Sequence, residues 1–412
     1  MKYILISANE AAKVLNKLIE LLPDESTLYR ISDLMCSIGH YHTLARVMLD
    51  MLELVNEPTH YKTITDILFN IGRIDLIEKH PVLENFLTND HVRFIKSVSS
   101  GTSPNLKKVL VLDHYNRFPM TSVISETYMI WRLLVNSRYL NEYSNVLARA
   151  IQWADAVWID GLAENTLFFL EKVARLSKMV ILRIMVRNPV IWLDLEEEKD
   201  LFKMIDWVVF TSDFWKDYFK SAYPHTFDAF ANRTSVVYPH MDVPPHLFKK
   251  AHEISSGKVL IIVHDETTAP LAAQIALNLK SKKNVTMLIR VETTRLVHYI
   301  TKFCESFLDN SVPIINKITE EDLKTFEWIV SIGVDFQFIE EIFKLLSRGY
   351  RTLVHANPHT ISVIPSSILF NSISELMHML EQNKYALNPE DFSPFYVESV
   401  RKQVELTIEK AV

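Results

Sequence analysis

Glycine is scarce: the chain of 412 residues holds 7, where about 7% is usual. Collagen-like sequence, glycine-rich linkers and phosphate cradles built from clustered glycines are excluded. Neither G-x-G-x-x-G nor G-x-x-x-x-G-K-[ST] occurs, so the ordinary dinucleotide and P-loop readings fail. Cysteine is scarcer still. Cys36 and Cys304 are too few and too far apart for a disulfide framework and lack C-x-x-C spacing, which points to a reducing, cytoplasmic setting. Positive charge is not in excess: 44 Lys and Arg stand against 50 Asp and Glu, a net charge of −6, with no basic field to attract nucleic acid. No apolar run reaches the roughly 18 residues that span a bilayer. The start, MKYILISANEAAK, has an apolar patch too short for a signal peptide. What is present is a soluble globular balance, 48% hydrophobic and 23% charged, and peripheral contact with a membrane is compatible with it.

The length predicts two or three domains at about 150 residues each. Over the first hundred residues apolar positions recur at helical spacing in 8–22, 27–38, 42–55, 60–71 and 74–87, with almost no strand signal. An internal repeat is visible. Ile31-Ser-Asp-Leu-Met-Cys-Ser-Ile-Gly39 matches Ile64-Thr-Asp-Ile-Leu-Phe-Asn-Ile-Gly72 at an offset of 33, and glycine suits the left-handed turn closing each helix. The period resembles tetratricopeptide repeats, which implies a protein partner on this region; packing against the rest of the chain is the alternative. Ser97–Pro104 is polar and reads as a linker within 97–106.

Beyond it, short β-rich runs alternate with helical segments. Strands are expected at Val109–Leu112, Ala156–Ile159, Val180–Ile184, Trp207–Thr211 and Ser235–Tyr238, with helices such as 122–136, 164–176 and 213–220 between them. The alternation restarts after a polar bridge, with strands at Val259–Val263, Val285–Ile289, Pro313–Ile315, Trp328–Ser331 and Thr352–His355. Helices are expected near 268–280, 293–307, 320–325, 338–348 and 373–383, and a last one over Tyr396–Lys410. The fold class is therefore α/β, with two Rossmann-like lobes preceded by an all-helical N-terminal domain. The boundaries are 1–96 for the helical domain, 107–246 and 247–390 for the lobes, and 391–412 for a closing helix.

Three passages carry a family resemblance. Ile205-Asp-Trp-Val-Val-Phe-Thr-Ser-Asp-Phe-Trp-Lys-Asp-Tyr-Phe219 is similar to the Asp, hydrophobic strand, Ser/Thr-Ser and short helix of family-4-like GT-B glycosyltransferases. Ser235-Val-Val-Tyr-Pro-His-Met-Asp242 resembles the stretch before their lobe crossover. Ser331-Ile-Gly-Val-Asp335, the helix to Gly349 and the strand Arg351–His355 resemble their donor-binding unit. The resemblance covers 105–412 and implies a cleft between two lobes, a closing helix crossing back to the first lobe, and nucleotide-sugar as substrate with no cofactor. The departures are specific. Lys344 and Phe336 stand where the family carries its Glu pair, and His264-Asp-Glu-Thr-Thr268 carries acids where a cation usually meets the diphosphate. Met185 stands where a histidine is common.

Without a metal, cations and helix N-termini must stabilise the departing diphosphate. Arg290, at a strand end, is the first candidate, and Lys344 a second unless it is a surface helix lysine. Gly333 permits close backbone approach. Asp335 can accept from sugar hydroxyls or cap the following helix. Thr319 and Glu320 sit where the nucleoside commonly binds, unless Thr319 is only a helix cap. In the first lobe, His114 is a candidate acid–base, with Tyr115 and Asn116 beside it on the acceptor loop. Asp160 and Glu164 form a possible base pair of carboxylates, or merely turn the chain and start a helix. Arg187 and Trp192 are candidates for holding the acceptor. No metal motif occurs. The expected function is transfer of a sugar from a nucleotide donor to a glycan, lipid-linked or protein acceptor, with retention of configuration. A non-catalytic scaffold using the helical repeats and a nucleotide-sugar epimerase are the alternatives.

Overall fold

The computed structural model describes residues 3–6, 24–37, 39–55, 57–100, 106–136, 143–161, 170, 173, 175–176, 178–185, 203–291, 294–336, 338–383 and 385–412. The chain divides into two compact units. One contains Val14–Thr211, Phe219–Val237 and Gln403–Val412; the other contains Met1–Lys13, Ser212–Tyr218 and Tyr238–Lys402. Strand β1 (Tyr3–Ile6) lies within the stretch expected to be wholly helical, and it pairs antiparallel with Lys317–Thr319. Four residues are too few to show an alternating pattern, so this strand had no sequence signal.

The N-terminal region is otherwise helical from Glu25, with helices Glu25–Ser37, Tyr41–Leu52, Pro58–Asn70, Ile74–Lys79, Pro81–Glu84 and Asn89–Ser100. The last of these runs through the first half of the stretch read as a linker. Phe94 and Val98, four residues apart, are both buried and hold that turn in place.

The first Rossmann-like sheet is built from β2 (Lys107–Asp113), β3 (Val123–Ile124), β4 (Tyr128–Leu134), β5 (Ala156–Asp160), β6 (Met179–Ile184), β7 (Trp207–Phe210) and β8 (Thr234–Val236). Its order is β3-β4-β2-β5-β6-β7-β8, and every neighbouring pair is parallel except β3 with β4. The helix expected over 122–136 is thus corrected to two strands. All seven residues of Tyr-Met-Ile-Trp-Arg-Leu-Leu are buried, and a strand covered on both faces shows no period-two alternation. The helix expected over 164–176 falls largely outside the described residues.

Residues 114–127 join the parallel strands β2 and β4 without a helix. A parallel sheet needs cover on both faces, and the N-terminal helices pack here. Trp131 Nε1 donates to the Gly72 carbonyl at 3.0 Å and Asn136 Nδ2 to the Gly39 carbonyl at 2.8 Å. The Leu134 N–H donates to Ile71 O at 3.1 Å, and Tyr41 Oη to His114 O at 3.3 Å. The second repeat copy therefore ends on β4 and the first on Asn136 just after it. Arg149, on helix Ser144–Trp153, adds an ion pair to Glu78.

The second sheet comprises β9 (Lys258–Val263), β10 (Asn284–Ile289), β11 (Ile314–Ile315), β13 (Trp328–Ile332), β14 (Thr352–His355) and β15 (Leu369–Phe370), while β12 (Lys317–Thr319) is the partner of β1. Its order, β11-β10-β9-β13-β14-β15, is all-parallel and reproduces the doubly wound pattern. Helices Ala269–Leu279, Thr294–Phe307, Ile339–Ser347 and Ile373–Glu381 fall where helical spacing placed them. Helix Val397–Ala411 buries Val400, Val404 and Ile408 along one stripe. Tyr396 lies just outside it, bridged to Met241.

The repeat glycines make a testable contrast. Both have left-handed backbones, φ +73° at Gly39 and +82° at Gly72. A Cβ on Gly72 would stand 2.1 Å from the Arg132 carbonyl oxygen, whereas one on Gly39 would meet only the Asn136 side chain at 3.6 Å. Gly39→Ala should cost about 1–2 kcal/mol from the left-handed conformation alone. Gly72→Ala should cost a further ~1–3 kcal/mol because backbone must move. Urea unfolding of both variants measures the difference, and equal losses would refute the docking of the second repeat on β4.

Candidate functional site

In an open parallel sheet, ligands meet the strand carboxyl ends where the strand order reverses. In the first sheet that point lies between β2 and β5, and it is crowded with buried charge. The parallel register sets Asp113 beside Asp160 and Asp160 beside Arg183. Arg132, on β4, donates to Asp113 from Nε at 2.9 Å and from Nη2 at 2.7 Å. The same carboxylate accepts from the backbone N–H groups of Tyr115, Arg117 and Phe118 at 3.0–3.1 Å and so shapes the loop after β2. Its pKa is held below the ordinary value even though burial opposes the charge, because the Arg132 guanidinium and these N–H groups favour it.

Asp160 is fully buried. Its carboxylate accepts from Trp158 Nε1 at 2.9 Å and pairs with Arg183 at 3.4 Å, and Arg183 in turn donates to Val237 O at 2.9 Å. Burial pushes this carboxyl up to about 6, with Asp113 adding in the same direction and Arg183 opposing. A carboxylate so enclosed, paired with Arg183 and the Trp158 indole, ties the ends of β5 and β6 together. His114 is buried too, and burial lowers its pKa to about 4, so the ring is neutral near pH 7. Asn116 takes a left-handed backbone and accepts from Arg132, while the Tyr115 ring lies against Gly161. His114, Tyr115, Asn116 and Asp160 therefore gather at one switch point. Glu164, Arg187 and Trp192 lie outside the described residues.

In the second sheet the order reverses between β9 and β13. Gly333 leaves β13 with φ +73°, and a Cβ there would stand 2.5 Å from Thr268 Oγ1 and 2.8 Å from Asp265 Cβ. The β9 and β13 exit loops thus touch at a residue that must lack a side chain. Arg290, just after β10, pairs with Glu341 at 2.7 Å, and its guanidinium lies 5.4 Å from the Phe338 ring. Asp335 is buried, and its carbonyl accepts from the N–H groups of Phe338 and Ile339, opening helix Ile339–Ser347. Arg290, Gly333 and Asp335 share this end of the sheet. Lys344 is on the exposed face of the same helix. Thr319 forms a reciprocal cap with Asp322, and Glu320 pairs with Arg348 at 3.7 Å.

Sequence reasoning passed over Asp113, Arg132, Arg183, His264 and Glu341 as site residues. The available signal was a charge closing or interrupting an otherwise apolar strand, as in Val-Leu-Val-Leu-Asp113 and Val-Ile-Leu-Arg183. Among the described residues, no group of three or more His, Cys, Asp or Glu side chains is placed to hold a metal ion. No helix among them is long and apolar enough to cross a membrane.

No protein-family model and no curated protein matches the chain. Solved structures do. A glycosyltransferase from Rickettsia africae is similar over 74% of this chain and 99% of its own, at 12% identity and a TM-score of 0.47. Anabaena HepE, in complex with UDP and glucose, is similar over 74% of this chain and 100% of its own, at 11% identity and a TM-score of 0.49. The UDP-GlcNAc 2-epimerase from Methanocaldococcus jannaschii is similar over 74% and 100%, at 10% identity and a TM-score of 0.41.

Two outcomes are expected from the buried charges. Arg183→Met leaves Asp160 without its cation and should cost about 3–5 kcal/mol of stability. Burial pushes the folded Asp160 carboxyl up to about 6, above the ordinary aspartate value of 3.8. Its contribution is therefore full below about pH 4 and is lost as pH rises through about 6. Wild-type stability minus that of Asp160→Asn should fall over this window in urea titrations. A flat difference would show that Asp160 is ionised throughout.

Proposed function

We propose that the chain is a nucleotide-sugar-dependent glycosyltransferase whose donor diphosphate lies at the carboxyl edge of the second sheet. Arg290 is the observation that carries this reading. It stands at a strand end beside the switch point, where its N–H donates to Val263 O at 2.8 Å and its guanidinium pairs with Glu341. A single Nη2 bond holds it to Glu341. Its remaining donors stay available for phosphate oxygens, and the ion pair fixes the guanidinium before the ligand arrives. Charge that develops on the leaving phosphate would then meet an oriented cation without a metal.

Asp335 is proposed to accept from the sugar hydroxyls. The loop of His114, Tyr115 and Asn116 is proposed for a glycan, lipid-linked or protein acceptor. Retention of configuration is proposed from the family-4-like resemblance, a protein partner on the N-terminal helices from the tetratricopeptide resemblance, and a cytoplasmic setting from the scarcity of cysteine. A second reading, a scaffold without catalysis, is favoured by Asp265 and Glu266 in the β9 exit loop, whose negative charge opposes a diphosphate.

Thermal shift with a panel of nucleoside diphosphates and their sugars identifies the donor, because a ligand of the native state raises its stability by mass action. In calorimetric titrations with the best nucleotide, Arg290→Ala should lose roughly 1.5–3 kcal/mol, about ten- to a hundredfold in affinity. Lys344→Ala should bind as wild type does. Asp335→Asn should keep the nucleoside diphosphate affinity and lose discrimination between sugars. Equal binding by wild type and Arg290→Ala would remove that residue from the site, and no binding at all would leave the scaffold reading.

A further inference from the structure

At the amino edge of the second sheet, where β10 and β11 begin, the chain encloses a cavity of about 420 Å³. Lys280, Lys282, Lys283, Asn284 and Ser311 supply its polar lining. Helix Ala269–Leu279 ends in a tight turn, in which the N–H groups of Lys282 and Lys283 both donate to Leu279 O, at 2.9 and 2.8 Å. Three lysines thereby reach one cavity. A further part of the lining follows helix Thr294–Phe307. There Asp309 and Asn310 take left-handed backbones, φ +48° and +54°, and Ser311 Oγ accepts from Lys280 Nζ at 3.0 Å. Among the described residues that line the cavity, none is acidic. The carboxylates that meet these lysines stand outside it. Glu327 accepts from the Gly257 N–H at 2.8 Å and from Trp328 Nε1 at 3.3 Å, and holds Lys283 only at 3.5 Å. Glu381 pairs with Lys282 at 2.6 Å, but these side chains are 54% and 60% exposed, and so exposed a pair is weak. Glu305 is taken by Lys302 at 2.9 Å. A lysine after a helix C-terminus complements the helix dipole. That accounts for one of the three, and not for their convergence with a hydroxyl on one cavity.

We propose that this cavity is a second ligand site, which takes a phosphate-bearing polyanion through Lys280, Lys282 and Lys283. Each ammonium is a compact charge with three rotatable donors, suited to phosphate oxygens that arrive from several directions. The volume falls within the range of small-molecule sites, roughly 300–1,000 Å³, and so polar a lining does not suit an apolar ligand. The site is independent of the proposed donor site. Asn284, which lines the cavity, begins β10, and Arg290 follows the other end of that strand. At about 3.3 Å per residue the two stand roughly 20 Å apart, with the depth of the sheet between them. Glu381 competes with the ligand for Lys282, so its removal should strengthen binding rather than weaken it.

The test is calorimetric titration of the full chain with tripolyphosphate, at low and at physiological salt. Lys280→Gln combined with Lys283→Gln should weaken binding about tenfold or more, because two charge-assisted bonds are lost. Glu381→Gln should tighten it by about two- to threefold as Lys282 is released. Arg290→Ala should stay within about twofold of wild type, since distant sites act independently. Added salt should weaken binding by screening these exposed charges. Sedimentation with vesicles of phosphatidylcholine and phosphatidylglycerol separates the sources of the phosphate. Retention that the paired lysine substitutions abolish assigns it to a lipid headgroup, and tripolyphosphate binding without retention assigns it to a soluble ligand. Equal affinity of wild type and the paired lysine variant would overturn the second site. So would tripolyphosphate binding that Arg290→Ala abolishes and the lysine changes leave intact, or a wild type that binds neither tripolyphosphate nor vesicles.

Discussion

Parallel register is the constraint on which the rest of the first lobe depends. Once β2, β5 and β6 align residue by residue, Asp113, Asp160 and Arg183 must lie side by side at the sheet's carboxyl edge, out of water. Charges buried this way persist only when paired and hydrogen-bonded. Arg132 reaches across from β4, Trp158 supplies its indole N–H, and the loop after β2 folds its amides onto Asp113. The conformation of the candidate acceptor loop is thereby a consequence of charge balance inside the sheet.

The two switch points solve the same problem differently. In the first, Asp113 and Asp160 each find a guanidinium and further donors, so the network closes on itself. In the second, the closest approach is made by a glycine, the single guanidinium is tied at one end only, and a buried imidazole has no partner. A closed network gives rigidity, whereas the open one leaves both donors and the carboxylate oxygens Glu266 Oε2 and Glu341 Oε2 unmatched.

The N-terminal helices belong to this picture through their cover of β4. The connection from β2 to β4 has no helix of its own, and the carbonyls of Gly39 and Gly72, each at the end of a repeat copy, receive side-chain donors from β4 and the residues just after it. Both glycines take a left-handed φ that L side chains rarely adopt, which explains why the repeat closes on glycine twice.

Local pattern alone determined a good deal. Strands such as Val259–Val263 and Thr352–His355 were legible because short β-branched runs bounded by turns have few other outcomes. The amphipathic helices and the Gly39–Gly72 repeat were legible for the same reason, since their periodicity is written over ten residues or more. The strand at Tyr128–Leu134 was not, because a segment buried on every side has no polar face to betray its period. Nor was β1, whose four residues become a strand only when Lys317–Thr319 offers an edge. The site divided along the same line. Arg290, Gly333 and Asp335 were visible as charges and a glycine at strand ends, but their ion pairs, caps and close approaches were decided by tertiary structure. Sequence shows that a charge closes a strand; only the register between strands shows whether it meets water, a ligand or an opposite charge.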